Sequence, residues 1–117
     1  VSDTPNTAFK VLTADQMTAL ETDGVFAGAP IDLADGYIHL STADQLGETL
    51  DRHFAGQKNL WLAAVDLEVL GDAVKWEPSR GGQLFPHIYG ALPLDAVLAY
   101  SELHYEPDGA LRLPVTG

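Results

Sequence analysis

Two short segments place a histidine between polar or aromatic neighbours at a spacing of two. In GYIHLSTADQL, residues 36–46, Tyr37, His39 and Ser41 alternate with Ile38 and Leu40. In LFPHIYG, residues 84–90, Phe85, His87 and Tyr89 alternate in the same way. Side chains two apart on an extended chain share a face. Each histidine is therefore expected on a polar or aromatic face whose reverse is aliphatic, the pattern of a pocket wall with hydrogen-bonding tips. An imidazole can give or take a proton near neutral pH, which makes His39 and His87 the candidate catalytic residues. Tyr37, Ser41 and Tyr89 are the ligand contacts that would stand beside them. The plain alternative for each histidine is a structural residue satisfied by its neighbours.

A third constellation is WEPSRGG, residues 76–82. Arg80 precedes two glycines in a turn, where successive backbone N–H groups can form an anion-binding nest and a guanidinium can add a bidentate fork. Glu77 is a candidate ligand-binding group or general acid/base. A solvated turn arginine paired with Glu77 is the competing reading. His53 falls late in an expected helix, where the C-terminal dipole accounts for it; His104 has no supporting partners in sequence. The four histidines are far apart, with no HxH or HxxxH pair, so no metal site is expected. No nucleophile elbow, phosphate loop or dinucleotide fingerprint is present. Ser41 and His39 lie two apart without a visible acid partner and form no triad by adjacency.

The elements that must position these groups follow from local signals. AFKVLT, residues 8–13, reads as a strand. TADQ occurs at residues 13–16 and again at 42–45, each a capping box that predicts a helix start. The first helix should use Ala14, Met17 and Leu20 and stop at Gly24; the second should use Leu46, Leu50 and Phe54, with Glu48 and Arg52 paired on its outer side. VFAGAPIDLADG, residues 25–36, reads as a loop carrying a short extended piece. NLWLAAVDL, residues 59–67, is apolar on both faces and predicts a central buried strand. EVLGD reads as a turn or single helical turn, and AVKWEPS as a half-exposed strand. Pro86 argues that QLFPHIYG is an edge, bulged or broken strand. LPLDAV is a short turn or helix, LAYSELHYE a strand, and PDG a hairpin turn into ALRLP. The sum is a single α+β domain over residues 1–117, with residues 1–6 a flexible arm and two N-terminal-half helices packed on a mostly antiparallel sheet; too few helices alternate with strands for a doubly wound fold.

The bulk numbers agree. A chain of 117 residues with 46% hydrophobic and 20% charged residues suits one soluble domain. It has no cysteine, which excludes disulfides and thiolate metal sites. A net charge of -11, with acids spread along the whole chain, repels polyanions and argues against a nucleic-acid face. No run is long and apolar enough for a membrane span and no signal segment is visible, so a cytoplasmic location without membrane partners is expected.

DGYIHLSTADQL, then RHFAG, then WEPSRGGQLFPHIYGALPLDAV resemble the bacterial family catalogued as domain of unknown function 952, over roughly residues 9–100. That family is in turn similar to the ADP-ribosyltransferase-like superfamily. The second similarity implies a split pair of antiparallel sheets with NAD as the cofactor in the cleft. IHLST would supply the ribose contact through His39, and His87 and Tyr89 would take the mid-chain positions. The superfamily's late catalytic glutamate has no matching motif; Glu102 is the candidate by position. Three readings stay open: a divergent ADP-ribosyl-transfer enzyme, a non-catalytic pocket for a small anionic ligand, and a purely structural domain. In the first two, Arg80 would hold a phosphate. The third predicts that His39 and His87 lie out of mutual reach and line no cavity.

Overall fold

Both TADQ segments start helices. The computed structural model describes residues 6–105 and 111–112, with the backbone only at residues 80, 104, 105, 111 and 112. Strand β1 (Thr7–Thr13) runs directly into α1 (Ala14–Asp23). The Thr13 hydroxyl accepts from Gln16 N–H at 3.2 Å and Gln16 Oε1 accepts from Thr13 N–H at 2.9 Å, so two orphan donors of the first turn are satisfied reciprocally. Met17 and Leu20 are its buried stripe and Gly24 its C-terminal cap. A two-residue strand, β2 (Val25–Phe26), follows, the short extended piece expected there.

The rest of that segment is not a loop. Pro30–Asp35 form helix α2. Six residues are too few for a periodic apolar stripe, but the end signals are present: Pro30 in the first turn, and Gly36 in the left-handed conformation (φ 89°) just past the last residue. Asp32 closes the first turn by accepting from Ala29 N–H at 2.8 Å. Then come β3 (Ile38–His39) and α3 (Ala43–His53). Gln45 Oε1 accepts from Thr42 N–H at 3.0 Å, and Gln45 Nε2 donates to the Leu84 carbonyl at 2.8 Å, tying the helix start to a later strand.

β4 (Leu60–Asp66) leads into the single turn α4 (Leu67–Leu70), where EVLGD was expected to turn, and a 3₁₀ turn at Gly71–Ala73. β5 (Val74–Pro78), β6 (Leu84–Ile88), β7 (Leu92–Pro93), β8 (Val97–Glu102), β9 (His104–Tyr105) and β10 (Leu111–Arg112) complete the order. Every pairing described is antiparallel. One sheet has the order β1-β4-β8, with β4 central as its two apolar faces require; a second has the order β3-β6-β5; β2-β7 and β9-β10 are two-stranded. The expected PDG turn, and residues 1–5 of the expected arm, lie outside the described residues. Asn6, assigned to that arm, has its carbonyl bound by Leu67 N–H at 2.9 Å.

Pro86 is a correction to the sequence reading, because β6 is the middle strand of its sheet. Antiparallel pairing explains the tolerance. A residue of such a ladder sends its N–H and C=O to the same side. The Pro86 carbonyl accepts from Leu40 N–H at 3.0 Å, on the β3 side. The N–H that proline lacks would point that way too, so the ladder toward β5 loses nothing. The ladder toward β3 ends there, and β3 is short.

Among the described residues the two three-stranded sheets are joined by one bridge, in which Phe9 N–H donates to Ser41 O (2.7 Å) and Ser41 N–H to Phe9 O (2.9 Å). Among the described residues the other strand pairings of each lie within its own sheet. Phe9, Val11, Leu60 and Leu62 form one core with Leu46 and Leu50 of α3. Ala8, Leu12, Ala63 and Val65 form the other with Met17 and Leu20 of α1 and with Ile38, Leu40 and Ile88 of the second sheet. Lys10 stands on the strand face of Ala8 and Leu12, a cation placed where the alternation calls for an apolar residue.

Candidate functional site

Lys10 is tolerated in the interior because Asp32 meets it. The ammonium lies 2.9 Å from Asp32 Oδ2 and 3.2 Å from Oδ1, and donates to the His39 carbonyl at 3.0 Å. Asp32 is almost completely buried, at 1% side-chain exposure. Its Oδ1 also accepts from His39 N–H at 3.1 Å and from the His39 ring Nδ1 at 2.6 Å. Gly28 permits this approach: its φ is 132°, and a Cβ there would lie 3.0 Å from the Asp32 Cβ. Burial alone would raise the Asp32 carboxyl. The His39 hydrogen bond, the charge and hydrogen bond of Lys10, and the Ala29 N–H outweigh it and hold the group well below the usual carboxylate range. Burial pulls the Lys10 ammonium below its ordinary value, and Asp32 offsets part of that. His39 is held at its other nitrogen as well, with Nε2 at 2.9 Å from Asp35 Oδ2 at the surface.

The second histidine is held from the opposite strand. Register pairs His39 with His87 across β3 and β6, and Lys75 with His87 across β6 and β5. His87 Nδ1 lies 2.8 Å from Glu77 Oε1, and the Tyr89 hydroxyl donates to both oxygens of the same carboxylate, at 2.8 and 3.1 Å. Those two hydrogen bonds, from His87 first and Tyr89 second, keep Glu77 below its ordinary value. The bond to Glu77 raises the Tyr89 phenol. Tyr37 stacks on His87 with ring centroids 4.2 Å apart and planes at 25°, and contacts His39 at 4.8 Å and Tyr89 at 5.3 Å. His39 and His87 meet edge to face at 5.3 Å.

A cavity of about 710 Å³ opens where the two sheets separate. His39, Ser41, Phe85 and His87 line one stretch of it. The histidines are thus in mutual reach and share a cavity, unlike the expectation attached to a purely structural domain. Ser41 is buried, its hydroxyl 2.7 Å from that of Thr49 on α3, and both line the wall. Tyr37, Glu77 and Tyr89 do not line the cavity; Tyr37 packs on His87, Glu77 bonds it, and Tyr89 bonds Glu77. Arg80 begins a 3₁₀ turn, Arg80–Gly82, but its side chain lies outside the described part. In that turn Gly82 N–H is bound to the Ser79 carbonyl at 2.7 Å, which removes one donor from the expected nest. Glu77, the alternative partner for Arg80, is engaged with His87 and Tyr89.

Three residues of the site were missed in sequence. Lys10 carried a signal, a lone cation within an apolar strand, which demands a buried acid. Asp32 and Asp35 were hidden because α2 was read as loop. On α3, Arg52 and His53 also line the cavity; Arg52 makes the expected pair with Glu48, at 2.9 Å. Among the described residues no cluster of three metal-ligating side chains forms, and no helix is long and apolar enough to cross a membrane.

No curated protein matches the chain. Among solved structures, the crystal structure of protein CC0527 from Caulobacter crescentus is 42% identical, with 91% of this chain and 93% of that one covered at a TM-score of 0.85. The solution NMR structure of CC0527 is similar, with 43% identity, 90% of each chain covered and a TM-score of 0.79. The family model described as protein of unknown function (DUF952) matches residues 11–100, a span that includes β3, α3, both histidines and Glu77, and the chain belongs to that family.

Proposed function

We propose that the cavity binds a small ligand carrying hydroxyl groups and a negatively charged end, of the nucleotide kind represented by NAD and ADP-ribose. One observation carries this reading: two histidines paired across neighbouring strands of one sheet, with Ser41 beside them, line one cavity, and each histidine is held by a carboxylate. Side chains fixed in this way lose little freedom when a ligand arrives, which favours binding. His39 and Ser41 would face the hydroxyl groups. Arg52 and His53, at the α3 side of the wall, would face the anionic end.

The proposal is of binding, not of ADP-ribosyl transfer. Among the described residues no glutamate lines the cavity. Glu77 is committed to His87, and Glu102 is an exposed residue of β8, paired with Trp61. Isothermal titration of NAD and ADP-ribose into the wild type and His39→Ala tests the reading. Heat with the wild type that is lost in the variant supports it; no heat with either nucleotide overturns it.

A further inference from the structure

We propose that Nε2 of His87 is the acceptor for a hydroxyl group of the bound ligand, and that Glu77 holds the ring in the tautomer that makes it one. The inference rests on the reading of the cavity as a nucleotide-type site and names the atom that selects the ligand.

His87 is buried at 2% exposure, and its Nε2 is a buried side-chain nitrogen without a hydrogen-bond partner among the described residues. Buried polar atoms are paired in the great majority of cases, and His87 is a residue of the cavity wall, so its unpaired nitrogen marks a place for something that completes it. The other nitrogen decides what that is. An ionised carboxylate only accepts, so the Glu77 contact requires the proton on Nδ1, and the neutral ring then presents a bare lone pair at Nε2. A lone pair selects a donor: an O–H group fits, whereas a carbonyl or phosphate oxygen would be repelled. The ring is also fixed in orientation, with Tyr37 stacked on it, His39 at its side and Tyr89 anchoring Glu77.

The experiment is ¹⁵N NMR of the full chain labelled at histidine, with ADP-ribose as probe. The expected result has two parts. Neutral His87 carries its proton on Nδ1 in the free protein. Saturating ADP-ribose moves the Nε2 resonance away from the bare-nitrogen position. Glu77→Gln, whose amide can donate to Nδ1, should shift the proton to Nε2 and weaken ADP-ribose at least tenfold with unchanged circular dichroism. ADP-ribose binding with a motionless Nε2 resonance and an unchanged Kd in Glu77→Gln overturns the proposal and leaves the cavity reading standing. No heat with NAD or ADP-ribose removes both.

Discussion

Asp32 Oδ1 and His39 Nδ1 stand 2.6 Å apart, and the same carboxylate accepts from Lys10 and from the backbone of Ala29 and His39. A buried acid on a six-residue helix thereby fixes a histidine on the next strand. Removing the acid and removing the cation should not cost the same. Asp32→Ala leaves a buried ammonium unpaired, together with donors from His39 and Ala29, and should cost roughly 3–5 kcal/mol. Lys10→Met leaves Asp32 with three remaining donors and should cost about 1–2 kcal/mol. Urea unfolding at pH 7 measures both; equal losses, or a larger loss for Lys10→Met, would show that the network is not organised around Asp32.

The same carboxylate sets an acid limit on stability. Its folded-state value is depressed, so the folded protein binds fewer protons than the unfolded chain once pH falls below the ordinary carboxylate value of about 4. The stability it supplies is fully present above that pH and drains away below it. Glu77, also depressed, acts in the same direction. The stability difference between wild type and Asp32→Asn should therefore be largest near neutrality and shrink steadily from about pH 4 downward. Chemical denaturation midpoints of the two proteins from pH 7 to pH 2.5 measure it; a gap constant with pH contradicts the assignment.

What sequence reading reached and what it did not can be traced to particular residues. Alternation placed Tyr37, His39 and Ser41 away from Ile38 and Leu40, and the buried aliphatic pair confirms the inner face. Register could not be read, because the pairing of His39 with His87 depends on which strands the chain brings together. Glu77 was singled out with Arg80 in view, three residues along; its partners, His87 and Tyr89, lie across the sheet. The α2 helix escaped because periodicity needs more than six residues, and Asp32 and Asp35 escaped with it. Pro86 was misjudged because a general rule about proline in central strands takes no account of which side the missing N–H would face.

Two glutamines in identical TADQ motifs should differ in worth. Gln16, in the first turn of α1, bonds the backbone N–H of Thr13. Gln45 bonds Thr42 N–H and also the Leu84 carbonyl, and it is buried. Gln16→Ala should cost about 1 kcal/mol, the loss of one capping contact. Gln45→Ala also removes the tether to the Leu84 carbonyl of β6 and should cost roughly 2–3 kcal/mol. Thermal unfolding of the two variants ranks them; the reverse order would mean that the α3–β6 tether contributes nothing.

Asp35 competes with any ligand that uses His39. It occupies His39 Nε2 at 2.9 Å, is 44% exposed and lines the cavity. A nucleotide reaching His39 has to displace that carboxylate, and its own negative charge meets repulsion from it. Asp35→Ala frees the nitrogen and removes the charge, so ADP-ribose should bind several-fold more tightly. Stability should change by less than about 1 kcal/mol, because an exposed ion pair contributes little and Asp32 still holds the ring at Nδ1. Titration of ADP-ribose into wild type and variant at equal pH and low salt gives the comparison, and added salt should narrow the difference by screening the repulsive part. Weaker binding by the variant would show that Asp35 contacts the ligand as a partner, through hydroxyl groups it can accept from, and that His39 is not the group exchanged.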